Sequence, residues 1–353
     1  MQILQHVLSH YGIKDDALQT ETIGSGLIHH TWKLTANGKQ FILQQINHQV
    51  FKIPEDIAFN LHLIDDYLKQ HHPAYLFTSA LPATDGSTLV HIKGEGYYRM
   101  FPFIYGSHTI DVVETKEQAY EAARQFGKFT KLLSGISIHQ IKITLPSFHD
   151  LSLRYQQFQD ALLNGNKQRI NESKELIQKA LAYSSIENEY QKIIHNPAFK
   201  LRVTHHDTKI SNVLFNNNDE GLCVIDLDTV MPGYFISDVG DMMRTYLSPV
   251  SEEETDFNKI IIREAFYHSI VNGYLSEMND ELSETEKKSF FFAGQFMIYM
   301  QSVRFLTDYI NDDVYYGAKY PLHNYNRAKN QLILLDQLLQ KEKLLNKVTN
   351  ALQ

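Results

Sequence analysis

The sequence predicts an α+β fold in two lobes, strand-rich over residues 1–104 and mainly helical over residues 105–353. Two observations predict it. Short alternating runs punctuated by Asn-Gly, Asp-Gly and Gly-Glu-Gly fill the first hundred residues, and apolar residues spaced three and four apart dominate after Gly106. Strands and helices are segregated along the chain, so the first lobe is expected to be a small antiparallel sheet with one helix. A cleft between two such lobes is a common place for a ligand.

In the first lobe, residues 32–34 and 41–46 flank Asn37-Gly38, a strong hairpin signal. Helical spacing from 54 to 71 starts at Pro54, where a missing N–H costs nothing. Asp85-Gly86 and Gly94-Glu95-Gly96 bracket a strand over 89–92, and a further strand runs over 97–103. In the second lobe, helical periodicity covers 116–133, 167–194, 257–278, 283–310 and 324–345. Short strands are expected only at 202–204, 213–215 and 222–225. No internal repeat or low-complexity linker interrupts this pattern.

Hydrophobic residues make up 43% of the 353, enough to bury a sizeable core. The formal net charge of -8 comes without basic clustering, which excludes a nucleic-acid footprint. A single cysteine, Cys223, rules out an intramolecular disulfide and any tie to an oxidising compartment. The opening MQILQHVLSHYG lacks the basic region and uninterrupted apolar core of a secretory signal. The most apolar stretch, 290–300, is interrupted by Gln295 and followed by Gln301 and Arg304, too short and polar for a membrane span. Phe290, Phe291, Phe292, Phe296 and Met300 read instead as core. A soluble cytoplasmic protein with no membrane partner is the expectation.

The chemistry lies in HHDTKISNVLF at 205–215 and CVIDLDTV at 223–230. Phosphoryl transfer needs a carboxylate to accept or orient the attacking hydroxyl, and oxygen ligands to hold magnesium against the phosphates. A kinase catalytic loop sets an Asp five residues before an Asn, with a second, metal-binding Asp after a later strand. Asp207 and Asn212 have that spacing, and Asp226 follows the apolar run ending at Ile225. His205 lies two before Asp207 and Lys209 two after. Singly these are loop polar residues satisfying turns; the joint spacing carries the kinase-like reading. Asp228 lies two past Asp226, on the same face if the strand continues, either as a substrate contact beside a metal or as a turn cap. The turn Gly24-Ser25-Gly26, at the start of a strand-rich lobe, can offer backbone amides to phosphate oxygens.

Taken with the segments GSGLIHHTW (24–32), FILQQINHQVFKIPE (41–55), YRMFPFIYGS (98–107), VIDLDTVMPG (224–233) and SDVGDMMR (237–244), the catalytic segment resembles the aminoglycoside phosphotransferase and choline kinase superfamily. RFLTDYINDDVYYGAKYPLHNYNRA (304–328) points to its N-acetylhexosamine 1-kinase branch, and the resemblance covers nearly the whole chain. It implies a protein-kinase-like fold using ATP and Mg2+ to phosphorylate the anomeric hydroxyl of N-acetylglucosamine or N-acetylgalactosamine. It implies Asp207 as the catalytic residue, Asn212 and Asp226 as magnesium ligands, and residues 100–104 as an interlobe hinge meeting adenine. Gly24, Ser25, Gly26, Gln44, Met100, Phe103, Ile104 and Lys209 then belong to the nucleotide side. His30, Asp228, Arg304 and Tyr315 belong to the acceptor side.

One departure concerns the strand lysine that kinases pair with a helix glutamate; Gln44 or Gln45 occupies the matching position. Glutamine carries no charge, so either the phosphates are clamped otherwise or nucleotide binding is weak. The branch also reads ILQ there, which favours the first. Arg304 and Asp308, four apart on a predicted helix, share a face, as an ordinary ion pair or with Arg304 turned to substrate. His71-His72-Pro73 reads as a helix end, and no Cys/His cluster has zinc spacing.

Rival acceptors are aminoglycosides, choline, and other sugars or amino alcohols. A polycationic acceptor favours an acidic carboxyl-terminal face, yet from Glu281 onward eight acidic residues meet nine basic ones. The rival from another class, a non-catalytic nucleotide-binding protein, has only the missing lysine to support it.

Overall fold

A computed structural model describes residues 2–14, 18–23 and 28–351. The small lobe comprises α1 (Gln2–His10), β1 (Gln19–Thr22), β2 (His30–Ala36), β3 (Lys39–Ile46), α2 (Pro54–His71), β4 (Val90–Ile92) and β5 (Gly96–Pro102). Its five strands form one antiparallel sheet in the order β1-β2-β3-β5-β4. Asn37 and Gly38 turn the β2–β3 hairpin with φ of 52° and 73°, the doubly positive conformation that selects this dipeptide. Helix α1 lies where periodicity gave no signal. Its Leu4, Val7 and Leu8 share a small apolar core with Leu34, Leu43, Tyr98 and Met100.

The large lobe contains α3 (Lys116–Leu132), α4 (Leu151–Asn164), α5 (Lys167–Glu172), α6 (Lys174–Ala182), α7 (Ser185–Ile194), β6 (Arg202–Thr204), β7 (Val213–Phe215), β8 (Gly221–Val224) and β9 (Met231–Gly233). It continues with α8 (Phe235–Tyr246), α9 (Glu264–Met278), α10 (Glu284–Lys287), α11 (Phe290–Ile310), α12 (His323–Gln340) and α13 (Glu342–Ala351). Helix α11 is the axis of its core. Phe290, Phe296, Met300 and Phe305 are buried, so this apolar stretch packs inside the protein. No helix among the described residues is long and apolar enough to cross a membrane. Helices α3 and α9 pack closely because a Cβ on Gly273 would lie 2.2 Å from the Tyr120 carbonyl oxygen.

The expected helix over 167–194 is three short ones, broken at Ser173 and at Tyr183-Ser184. Serine competes for backbone hydrogen bonds and favours such breaks. The strand expected over 222–225 ends at Val224 and does not continue through Asp226. Asp226 is left-handed, with φ of 59°, and a 3₁₀ turn (Leu227–Thr229) follows. The antiparallel pair β6–β9 and the hairpin β7–β8 frame the segment from His205 to Asp228.

Candidate active site

The loop between β6 and β7 is held from beneath by α8. Asp238 accepts the amides of His205 (3.0 Å) and His206 (2.8 Å), and Asp241 accepts the amide of Thr208 (2.9 Å). Tyr246 Oη donates to the Thr208 carbonyl at 2.6 Å. Burial pushes the Asp238 carboxyl up to about 6, against the two amides that favour its charge. The sequence carries a signal for this support: two acids three apart on one face of a helix rich in apolar residues.

His205 ties the loop to the second aspartate. Its Nδ1 accepts the Asp207 amide (3.3 Å), so Nε2 bears the proton and donates to the Ile225 carbonyl (2.9 Å). His206, with φ of 66°, and Asp226 are the strained positions on either side of Asp207.

Asp207 is thereby fixed in the cleft. Its Oδ1 lies 3.1 Å from Lys209 Nζ, and its Oδ2 accepts Asn212 Nδ2 at 3.0 Å. Burial raises its carboxyl, but the charge of Lys209 and the hydrogen bonds from Lys209 and Asn212 outweigh that and hold it below the usual range. Asp207 is therefore an ionised acceptor at neutral pH. Asn212 Nδ2 also donates to the Asp207 carbonyl at 2.8 Å, which directs the amide oxygen away from Asp207.

Asp226 is accessible and makes no hydrogen bond or ion pair among the described residues. The cleft floor crowds around it, and this desolvation, then the charges of Asp228 and Asp207, push its carboxyl up to about 6. An accessible carboxylate crowded by like charges, with the Asn212 amide oxygen beside the same loop, is an oxygen donor set that suits a hard divalent cation. His29, Asp226 and Asp228 bring ligand atoms within 4.8 Å of one another. Two of the three are already engaged, because His29 Nε2 lies 2.6 Å from Asp228 Oδ2 and Arg99 Nη1 lies 2.5 Å from Asp228 Oδ1.

Asp228 thus sits in the lobe junction, 1% exposed, with both oxygens facing small-lobe residues. His29, the neighbour of the expected His30, makes this contact. His29 Nδ1 accepts the Asn47 amide (3.0 Å), so its Nε2–H points at Asp228. His30 faces solvent, 6.1 Å from the Trp32 ring, apart from the Asp228 cluster. Neither His29 nor Arg99 was singled out from sequence.

On the nucleotide side, Gln44 lies in β3, bonded to Arg99 and Thr31. Met100 lies inside β5 with its side chain in the small-lobe core, and its carbonyl accepts Leu81 N at 2.7 Å. Phe103 and Ile104 follow the strand end, with Lys33 Nζ 4.4 Å from the Phe103 ring centroid. Gly24, Ser25 and Gly26 lie outside the described residues.

At the opposite end, Arg304 and Asp308 are not paired. Asp308 is buried and accepts the amides of Tyr315 (2.7 Å) and Tyr316 (2.9 Å), fastening the loop before α12. Arg304 donates to Gln301 (3.2 Å) and Tyr315 Oη (3.4 Å), and stands 5.4–5.8 Å from the rings of Phe148, Tyr315 and Tyr316. Tyr315 is 67% exposed at the rim. Burial, then the neighbouring His206 ring and the positive charges of Arg304, Arg244 and Arg154, drive His149 well below the ordinary histidine value. Its ring lies 5.3 Å from that of His206, which burial likewise keeps neutral, next to Asp207. The nearby acids are engaged: Glu252 with Arg244 and Arg327, and Glu253 with His323 and Arg327.

A two-lobed kinase-like fold, with a fixed aspartate and an adjacent oxygen site in the cleft, defines a phosphotransferase. The sequence profile described as the phosphotransferase enzyme family matches residues 19–277, and the chain belongs to this family, that of aminoglycoside phosphotransferases. Solved structures with the same fold include a microcompartment-associated aminopropanol kinase (TM-score 0.68, 14% identity, 98% of each chain covered). Spectinomycin phosphotransferase in complex with ADP and spectinomycin is another (TM-score 0.63, 13% identity, 97% of this chain and 98% of that one). A third is an amicoumacin kinase in complex with AMP-PNP and Ca2+ (TM-score 0.64, 12% identity, 95% of this chain and 93% of that one). The family match makes the chain a phosphotransferase, and the solved structures share its fold.

Proposed function

We propose that the chain transfers the γ-phosphoryl group of ATP, with Mg2+, to the anomeric hydroxyl of an N-acetylhexosamine, giving a sugar 1-phosphate and ADP. The division near residue 104 belongs to this reading, with the nucleotide on the small lobe and the acceptor on the large one. The observation that supports a neutral, hydroxyl-rich acceptor is the charge at the acceptor end. Arg304 and Arg154 have no carboxylate within ion-pair distance among the described residues, while Glu252, Glu253 and Asp308 are already bonded. An ammonium acceptor such as aminopropanol would meet unpaired guanidinium groups rather than acids, which disfavours it. Hydroxyls and an acetamido carbonyl can accept from arginine.

In this reading Asp207 accepts or orients the attacking hydroxyl, and the acidity of an anomeric hydroxyl lets an ionised carboxylate suffice. Asn212 and Asp226 would hold Mg2+, which neutralises charge between the β- and γ-phosphates. Lys209 secures the Asp207 carboxylate, and Arg304 and Tyr315 are assigned to the acceptor side. Asp226→Ala and Asn212→Ala should each raise the magnesium concentration at half-maximal rate. An unchanged magnesium titration in both would remove them from the metal site.

The acceptor is tested by phosphate transfer to N-acetylglucosamine, N-acetylgalactosamine, glucose, galactose, choline, aminopropanol and kanamycin, with products located by phosphorus NMR. A sugar lacking a hydroxyl read by a buried partner should be turned over about 10⁴-fold less efficiently, and loss of the acetyl methyl should matter far less. Phosphate on a primary hydroxyl, or a preference for choline, aminopropanol or kanamycin, would overturn the anomeric reading and leave the kinase standing.

A further inference from the structure

Kinase folds place a lysine on the strand after the glycine-rich turn and pair it with a glutamate of the small-lobe helix. Gln44 holds that strand position, yet a cation stands beside it. Strands β3 and β5 pair antiparallel with Gln44 opposite Arg99. Arg99 Nε and Nη2 both donate to Gln44 Oε1, at 3.0 and 2.9 Å, and its guanidinium lies 5.1 Å from the Phe101 ring. The positive charge has moved one strand sideways, about 4.8 Å, and the long side chain reaches back across that spacing.

Its acid partner has moved as well. Helix α2 supplies no carboxylate to Arg99 among the described residues. Asp65 pairs with Lys69 and Asp66 with His62, while Asn60 faces the backbone of Lys142 and Val230. The acid is Asp228 of the large lobe, two residues past Asp226 and also held by His29. Arg99 Nη1 and Asp228 Oδ1 lie 2.5 Å apart in a buried ion pair across the lobe junction. Arg99 is 3% exposed, so a buried guanidinium stands beside the oxygen site of Asp226, whose carboxylate its charge favours. A guanidinium presents five donors in a fixed fork suited to phosphate oxygens, and two of them are already committed to a splint that fixes its plane.

We propose that Arg99 is the phosphate-orienting cation of this kinase, replacing the strand lysine. Gln44 acts as its splint, and Asp228 as the acid that holds it until nucleotide arrives. One guanidinium then joins nucleotide binding to lobe contact, because its splint is in the small lobe and its acid in the large one. This rests on the kinase reading.

The test is nucleotide affinity, measured by calorimetric titration of the full chain with AMP-PNP and MgCl2, with thermal melts alongside. The double variant Arg99→Met/Asp228→Asn removes both charges and leaves none orphaned in the junction. It should bind about 10- to 100-fold more weakly, the loss of one charged hydrogen-bonding partner. Adding Gln44→Lys returns a cation to the usual strand and should recover most of that loss, which a purely structural role for Arg99 does not predict. Arg99→Gln, read in the same titration, carries the test if the double variant does not fold. Affinity within about twofold of the wild type in a folded charge-removed variant, or no recovery with Lys at position 44, would overturn the proposal. A wild-type chain that binds no nucleotide would instead refute the kinase reading, so the two failures are distinguishable.

Discussion

Asp207→Asn should lower kcat by about 10²- to 10⁴-fold, the range for loss of a positioned general base, with nucleotide affinity and melting temperature little changed. The reason is local. The carboxylate accepts from Lys209 Nζ and Asn212 Nδ2, and the loop that carries it is fixed through backbone groups that the substitution leaves in place. An asparagine fills the same volume and can still bond Asn212, but it cannot take the proton of the attacking hydroxyl. Steady-state rates with the preferred acceptor and a calorimetric titration with AMP-PNP are the measurements. Turnover within tenfold of the wild type would move the base elsewhere, and lost nucleotide binding would make Asp207 a structural residue.

Asp238→Ala should produce the largest loss of stability among the site's supporting residues. Asp238 is fully buried, and each of its oxygens accepts one backbone amide, from His205 and His206. Removing the carboxylate leaves two buried N–H groups without partners, at about 1–3 kcal/mol each, so about 2–6 kcal/mol in all. His206 occupies the left-handed region with φ of 66°, and nothing else on α8 would hold that conformation. Activity should therefore fall with stability, even though Asp238 meets no substrate. Asp238→Asn keeps the shape and one acceptor, so it should fall between. Urea unfolding of the three proteins checks the order. An alanine variant as stable and as active as the wild type would show that the loop is held by other contacts.

Much of the fold is legible because it rests on local rules. The β2–β3 hairpin follows from Asn37-Gly38, and α2 has the predicted limits of Pro54 and His71. Helix α8 was illegible because its buried face carries Asp238 and Asp241, which break an apolar stripe in order to hold the catalytic loop. Helix α4 buries only Leu151, Phe158 and Ala161, too thin a stripe to register. Spacing alone offers one long helix over 167–194, because periodicity continues through the serines that divide it.

The candidate site divides in the same way. Asp207, Lys209, Asn212 and Asp226 were named from sequence because loop and strand spacing place them within one short segment, a local arrangement that a linear pattern can encode. The engagement of Asp228 was decided by tertiary structure. Its partners, His29 and Arg99, lie 199 and 129 residues away and reach it only when the small lobe docks on the large one. Adjacent residues alternate between the two faces of a strand, so choosing between His29 and His30 required knowing which face meets the cleft. Arg304 and Asp308 share a helix face, but burial and the loop before α12 gave Asp308 to two backbone amides and left Arg304 to the tyrosines. The sequence by itself determined a kinase loop and its two lobes. Tertiary structure decided which charges neutralise one another, because a buried charge takes whichever partner folding brings within reach.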